Sequence, residues 1–156
     1  MVKVRLEQKP AFIATGTKTW ISKVEDFFTF WDRCHDDGTV SALKALGRAS
    51  CEVTGSSVFG VSRVEKDPQN RDFYFYIATE GKHDQCGRFD SFAIPSALWA
   101  IFQSAGEVRK ALFEAEMHAF RDWLPASGYE HAFVPELEVY PEDGTVEFWL
   151  PVVRKQ

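Results

Sequence analysis

The order of the predicted secondary-structure elements repeats once along the chain, and this repeat limits the fold more than any other feature. In each half a strand is followed by a helix and then by two further strands. The helix of the first half is predicted to start at a capping box formed by Ser22 and Glu25. The strands of the first half are predicted at residues 2–19, 58–64 and 72–79.

The second half shows the same order of elements. Its helix has one apolar face that runs from Val108 to Trp123. Pseudo-repeats are therefore predicted at residues 1–80 and 88–156, within a single domain that covers residues 1–156. The strands of the second half are predicted at residues 89–104, 134–140 and 145–153.

Two fused strand–helix–strand–strand units predict an α+β fold with pseudo-twofold symmetry, antiparallel sheets and helices on one sheet face. The opposite face is then solvated or forms a cleft between the halves. Residues 73–77 (FYFYI) are apolar on both of their alternating faces, and so are residues 94–102. A strand with one solvated face alternates apolar with polar residues instead. Two interpretations of the second face stay open: it lines a concave aromatic pocket, or it is buried by dimerisation.

Residues 135–140 (PELEVY) place two carboxylates on one face of a predicted strand. Because strand side chains alternate, Glu136, Glu138 and Tyr140 share a face, and the leucine and valine between them are predicted to point to the helices. A carboxylate among aromatic rings can bind a lipophilic cation. It can also act as a general base when burial raises its pKa. A solvated glutamate at a strand edge is the third interpretation.

Composition excludes several classes of function. Eighteen Lys and Arg residues against 23 Asp and Glu residues give a net charge of −5. Such a chain offers no basic stripe for direct contact with nucleic acid and no attraction to an anionic membrane. No stretch approaches the roughly 20 apolar residues that span a bilayer. Three cysteines without a CxxC pair, and no signal-peptide core at the N-terminus, predict a cytoplasmic protein.

No cofactor and no metal ion are predicted. His83 and Cys86 have a spacing that metal ligands can adopt, but no second pair completes a zinc site. Cys34 and His35 are neighbours on a predicted helix and point in different directions, so they do not form a nucleophile pair by themselves. Phosphate-loop and serine-hydrolase motifs do not occur in the sequence.

Four segments of the chain carry a family resemblance. They are IPSALWAIF at 94–102, WLPASGYE at 123–130, PELEVYP at 135–141 and VEFWLPV at 146–152. Together they resemble the GyrI-like domains, which are also the effector-binding domains of AraC/Rob-type transcription regulators. The resemblance spans nearly the whole chain and is strongest from about Phe89 onward. It implies two pseudo-twofold units around a central cleft that takes drug-like, often cationic aromatic molecules.

The same resemblance implies which residues bind the ligand. In the family a buried glutamate in the cleft meets the charge of the ligand, and Glu138 is the matching position here. The resemblance further implies that Tyr140, Trp99, Tyr76 and Trp20 line the cleft. The chain is therefore expected to be a stand-alone binding protein whose partner is an amphipathic, cationic aromatic small molecule.

Two other functions stay open. Some family members are hydrolases that open the cyclopropane ring of DNA-alkylating natural products. For such an enzyme the resemblance implies that Glu138 activates water and that Tyr140 or Trp99 positions the substrate. Alternatively, the chain regulates a protein partner, as some family members do. We expect a monomer or a weak dimer, without a helix-turn-helix domain.

Overall fold

A computed structural model describes residues 1–47, 51–62, 73–83 and 87–156. A π-helical segment, His118–Trp123, continues the third helix. In chain order the described strands and helices are β1 (Lys3–Lys9), β2 (Phe12–Ile21), α1 (Glu25–Asp36), α2 (Thr39–Gly47), β3 (Phe59–Ser62), β4 (Phe73–Glu80), β5 (Asp90–Ile94), β6 (Ala97–Ser104), α3 (Val108–Met117), α4 (Leu124–Ala126), β7 (Tyr129–His131), β8 (Glu136–Val139) and β9 (Val146–Arg154).

The predicted α+β class is confirmed, but the first strand of each half is in fact two strands. Residues 2–19 divide into β1 and β2, and residues 89–104 divide into β5 and β6. Each break contains a proline, Pro10 or Pro95, which has no N–H to donate to a neighbouring strand. The last residues of the strand predicted at 58–64 and the first residue of the strand predicted at 72–79 lie outside the described residues.

Helix α1 begins at Glu25, two residues later than a cap at Ser22 predicts, and its N-cap residue Val24 forms no side-chain capping hydrogen bond. The Oδ2 atom of Asp26 accepts hydrogen bonds from the backbone N–H groups of Ser22 (2.9 Å) and Lys23 (3.1 Å). The prediction that Glu25 completes the cap is therefore wrong. None of the described helices is long and apolar enough to cross a bilayer.

The described strands form one antiparallel sheet in the order β1-β6-β9-β8-β3-β4-β2-β5, and β7 pairs beside β9. The two halves of the chain meet where β3 pairs with β8. Strand β1 lies at one end of the sheet, whereas β2, which follows after two residues, lies near the other end. Because so short a connection spans only about 10 Å, the sheet must curl until its ends approach each other. The pseudo-twofold relation between the halves stays a prediction.

The inner face of the curl is filled with apolar side chains from both halves. Trp99 and Trp149 pack there with ring centroids 5.6 Å apart, and both are almost fully buried. Phe12 packs edge-on against Phe59 across the interior. The face without helices is therefore covered by the curled sheet itself. Where these side chains are buried, the face is neither solvated nor an open cleft, and dimerisation stays a prediction.

The helices lie on the outer face of the sheet, as predicted. Helices α1 and α2 cover the first half, where Phe30 and Leu43 pack with Phe75 of β4. Helix α3 covers the second half, where Ala115 packs with Phe148 of β9. The central pair of strands, β3 and β8, lies between these two groups of helices.

Candidate functional site

Glu138 lies at the centre of the helix-covered face. It pairs with Gly60 of β3 on one side and with Phe148 of β9 on the other. Gly60 in turn pairs with Ile77 of β4. Directly paired residues of antiparallel strands point to the same face. Since Ile77 packs with α1 and α2 and Phe148 packs with α3, Glu138 points outward between the two groups of helices.

This position corrects the face that the sequence predicts for β8. Leu137 and Val139 are expected to point to the helices, but they pack inside the curl with Phe59 and Trp149. The predicted alternation is confirmed and the predicted choice of face is wrong. A period of two shows which side chains share a face, but it does not show which face the helices cover.

Gly60 leaves room for the Glu138 carboxylate. A Cβ atom at position 60 would lie 2.9 Å from Oε2 of Glu138 and 2.6 Å from Cζ of Phe75. Both distances are shorter than ordinary van der Waals contacts, so any larger residue would displace the carboxylate or the ring. The floor of the site therefore requires glycine.

Tyr140 holds the carboxylate in place. Its hydroxyl donates a hydrogen bond of 2.8 Å to Oε2 of Glu138. The Trp31 ring of α1 meets the Tyr140 ring edge-on, with centroids 5.5 Å apart. The hydroxyl of Ser56 donates to the backbone carbonyl of Tyr140 at 3.1 Å. Glu80 anchors the same loop by accepting hydrogen bonds from Thr54. The described part of the loop, residues 51–57, thus positions Tyr140.

Two helices form walls above this floor. On α1, Trp31 lies beside Tyr140. On the side of α3, Phe120 of the π-helical segment packs against Phe148, with ring centroids 5.7 Å apart, and its own ring is 42% exposed. We call the region between these two walls the helix groove. Its floor is formed by Gly60, Glu138 and Tyr140, and its walls by Phe28, Trp31, Glu116 and Phe120.

Arg109 connects the two walls at the N-terminal end of α3. Its guanidinium lies 4.2 Å from the centroid of the Phe28 ring, and Nη2 lies 3.1 Å from Oδ1 of Asp32. Both charged side chains are about half exposed or more. Exposed ion pairs of this kind contribute only about 0–1 kcal/mol. The contact therefore bridges α1 and α3 without joining them strongly.

Burial raises the pKa values of three ionisable groups in the groove. Burial raises the pKa of Glu138 from 4.5 to about 7; the Tyr140 hydrogen bond opposes this rise and the charge of Glu136 adds to it. Burial also raises the pKa of Glu116 well above its usual value, and the charges of Glu138 and Glu136 raise it further. The pKa of Tyr140 is raised by burial and by the Glu138 charge.

Glu136 differs from Glu138 in its partner. Its Oε2 atom lies 2.7 Å from Nε2 of His131, and both side chains are largely buried. The other ring nitrogen of His131 lies against the carbonyl oxygen of Ala132. Glu136 thus contacts a histidine ring, whereas Glu138 accepts a hydrogen bond from a tyrosine hydroxyl.

The structure brings together two of the five side chains that the sequence assigns to ligand binding, Glu138 and Tyr140. Trp99 and Tyr76 lie in the interior of the curl, on the opposite face of the sheet. Trp20 is 49% exposed and packs edge-on against Tyr74, away from the helix groove. The structure therefore does not bring Trp99, Tyr76 and Trp20 together with Glu138, and their role in ligand binding, which the resemblance implies, stays a prediction.

Sequence analysis missed five residues of the groove: Phe28, Trp31, Gly60, Glu116 and Phe120. The helical spacing of Trp31 with other rings is typical of a core residue, but Trp31 is only partly buried. A signal for Glu116 was present. It interrupts the apolar helix face that contains Leu112 and Ala119, and a carboxylate on such a face is unusual.

Metal ligands were also sought in the described ranges. No group of three or more His, Cys, Asp or Glu side chains in them could hold a metal ion. The Nε2 atom of His83 lies 3.2 Å from the carbonyl oxygen of Glu80. Cys86, its predicted companion, lies outside the described residues.

Comparisons with known proteins cover almost the whole chain. A family model described as GyrI-like small molecule binding domain matches residues 3–153. Searching curated proteins found no significant match. SAV2435 bound to tetraphenylphosphonium superposes with a TM-score of 0.81 at 18% identity, over 97% of this chain and 94% of that one.

Two further solved structures share the fold. An integron cassette protein from the mobile metagenome of Vibrio cholerae superposes with a TM-score of 0.71 at 14% identity, over 96% of this chain and 95% of that one. A hydrolase from Listeria innocua superposes with a TM-score of 0.51 at 12% identity, over 97% and 92% of the two chains.

Proposed function

Because the chain belongs to the GyrI-like family of small-molecule-binding domains, we propose that its helix groove binds amphipathic, cationic aromatic molecules. Glu138 supplies the counter-charge, and Tyr140, Trp31 and Phe120 supply ring contacts. The observation that carries this proposal is the Glu138 carboxylate, which is 7% exposed and has a tyrosine hydroxyl rather than a cation as its partner among the described residues.

The energetics of burial favour a cationic ligand. An ionised carboxylate out of water is destabilising unless an opposite charge meets it. A ligand cation provides that charge, and aromatic rings add an attraction to their negative faces. SAV2435, which shares this fold, has been solved with tetraphenylphosphonium, a cation surrounded by four rings. That ligand chemistry matches a groove with rings on its walls and a carboxylate on its floor.

We place the protein in a reducing compartment, the cytoplasm. The described cysteines, Cys34 and Cys51, are free thiols, as is typical of cytosolic proteins.

Calorimetric titration with tetraphenylphosphonium tests the proposal. Glu138→Gln keeps the shape of the side chain and removes its charge, so we expect the affinity to fall roughly tenfold or more. Neutral triphenylphosphine oxide, which retains three of the rings, should bind both proteins equally. Below pH 7 the affinity of the unmodified protein for the cation should fall roughly tenfold per pH unit, because Glu138 becomes protonated.

Glu147→Gln is the matched control. Glu147 is equally buried but lies on the inner face, where Arg5 and the Trp149 indole N–H occupy its carboxylate. We expect this variant to bind the cation normally. Equal losses of cation and neutral ligand in Glu138→Gln would refute the role of Glu138 as counter-charge.

Hydrolysis of a strained electrophile is the second candidate function. The observation that favours it is the pKa of Glu138, which lies near 7 and suits a general base at neutral pH. In this reaction Glu138 would take a proton from water while the water oxygen bonds to a cyclopropane carbon. The electron pair of the broken C–C bond would move into a conjugated carbonyl, whose oxygen finally receives the proton. Tyr140 would hold the carboxylate through its hydrogen bond.

Mass spectrometry distinguishes the two functions. A hydrolase converts a cyclopropane-bearing dienone into a product heavier by one water, and Glu138→Gln does not. A binding protein leaves the compound unchanged and releases it intact.

A further inference from the structure

One side of α3 faces the helix groove along its whole length. Arg109, at the start of the helix, contacts α1 across the groove. Phe120, which follows the helix, packs on Phe148 beside Glu138. Helical residues seven apart share a face, as do residues four apart. Glu116, seven residues after Arg109 and four before Phe120, therefore faces the groove between these two contacts.

Glu116 and Glu138 approach one another closely enough to interact electrostatically. The charge of Glu138 raises the pKa of Glu116, and the charge of Glu116 raises the pKa of Tyr140, whose hydroxyl is bonded to Glu138. Across the described chain Glu116 forms no hydrogen bond and no ion pair. Two carboxyl groups thus face the helix groove, Glu138 from its floor and Glu116 from its wall.

Two basic side chains beside this pair contact other carboxylates. Arg109 is paired with Asp32 at the end of the groove. The His131 ring contacts Glu136. Among the described residues neither Glu116 nor Glu138 has a cationic side chain as an ion-pair partner, which favours a ligand as the source of positive charge between them.

We propose that Glu116 is a second counter-charge, and that the helix groove selects dicationic aromatic molecules over monocations of the same framework. This inference rests on the proposed function, since it concerns the same groove. One positive centre meets Glu138 on the floor and the other meets Glu116 on the wall, while the rings of Trp31 and Phe120 contact the aromatic framework.

Binding of a dication is expected to displace protons. Burial and the charges of Glu136 and Glu138 raise the pKa of Glu116 and so disfavour its ionised form when the groove is empty. A second positive centre beside it favours the ionised form instead. The titratable and charged groups that face this region are Glu136 and Glu138 from β8, Tyr140 directly after β8, His131 from β7, and the Arg109–Asp32 pair.

A matched pair of probes tests the inference by calorimetry. Methyl viologen carries two positive nitrogens on a biaryl framework, and N-methyl-4-phenylpyridinium carries one on nearly the same framework. We expect the unmodified protein to prefer the dication about tenfold, which is the contribution of one partly screened charge pair. Titrations in two buffers of different ionisation enthalpy should show more protons released by the dication than by the monocation.

Two variants assign the effect to one residue. Glu116→Gln should lose both the preference and the additional proton release, because it removes the second counter-charge. Glu114→Gln removes the same charge from an exposed position on the same helix and should retain the preference. A merely structural role for Glu116 would reduce the affinity for both probes and leave their ratio unchanged.

The possible results separate this inference from the proposed function. If the unmodified protein binds both probes equally, or if Glu116→Gln keeps the preference, the inference is refuted and the proposed function stands. If tetraphenylphosphonium binds and neither biaryl cation does, the inference is likewise refuted. If none of the three cations binds, the proposed function fails and the inference fails with it.

Discussion

Replacing Glu138 by glutamine is expected to stabilise the protein at alkaline pH but not at acidic pH. In the folded protein the carboxylate is buried, and its ionised form is paired with a tyrosine hydroxyl rather than a cation. Glutamine keeps the volume of the side chain and an oxygen that accepts the Tyr140 hydrogen bond. It removes only the negative charge.

The magnitude follows from the pKa of Glu138. Folding raises that pKa from 4.5 to about 7, and each pH unit corresponds to about 1.4 kcal/mol. The folded protein therefore favours the protonated carboxyl. The protonated Glu138 carboxyl therefore makes its full contribution to the free energy of unfolding below pH 4.5. This contribution is lost as the pH rises through about 7, where ionisation has reduced the free energy of unfolding by about 3 kcal/mol. Glu138→Gln avoids this loss.

Urea denaturation at a series of pH values between 4 and 8.5 measures the effect. The difference in unfolding free energy between Glu138→Gln and the unmodified protein should grow by about 3 kcal/mol over that range, because all other groups titrate in both proteins. Glu147→Gln serves as the control. Its carboxylate is paired with Arg5 at 3.0 Å and accepts a hydrogen bond from the Trp149 indole N–H, so we expect Glu147→Gln to be less stable than the unmodified protein.

Parallel pH profiles for the unmodified protein and Glu138→Gln would refute the reasoning. They would mean that ionisation of Glu138 does not oppose folding, and that the carboxylate is solvated or already neutralised. A variant less stable than the unmodified protein at pH 8 would lead to the same conclusion.

Two further predictions concern the floor and the walls of the helix groove. Gly60→Ala places a Cβ atom 2.6 Å from Phe75 and 2.9 Å from the Glu138 carboxylate, so urea denaturation should show a loss of about 1–3 kcal/mol, and unchanged stability would contradict the close packing. Trp31→Ala should weaken binding of tetraphenylphosphonium roughly threefold to thirtyfold in calorimetry, because a ring that attracts the cation is lost. Trp99→Phe, on the inner face, should alter that affinity by less than about twofold, and the opposite ranking of the two variants would place the ligand inside the curl.

Much of the local structure could be predicted from the sequence, because it depends on near neighbours in the chain. The helical spacing of apolar residues predicted α1 and α3, and alternation predicted that Glu138 and Tyr140 share a face. Their hydrogen bond of 2.8 Å agrees with that prediction. Prolines at positions 10 and 95 mark where each long strand divides, since proline interrupts hydrogen bonding between strands.

Which face of the sheet carries the groove was decided by the tertiary structure alone. Strand β1 pairs with β6, which lies far away in the chain, for example Val4 with Phe102. This pairing curls the sheet and fills its interior with Trp99 and other rings. The period of an alternating strand is the same for either orientation, so it contains no information on which face becomes the interior.

Local patterns in the sequence therefore predicted the α+β class, the main helix of each half and the residues of β8 that share a face with Glu138. The tertiary structure decided that Gly60 lies beneath the carboxylate and that Glu116 faces it from α3. The physical reason is the range of the interactions. Helix and strand periodicity depends on residues a few positions apart, whereas curling and the packing of helices depend on apolar surface that only distant segments can bury together.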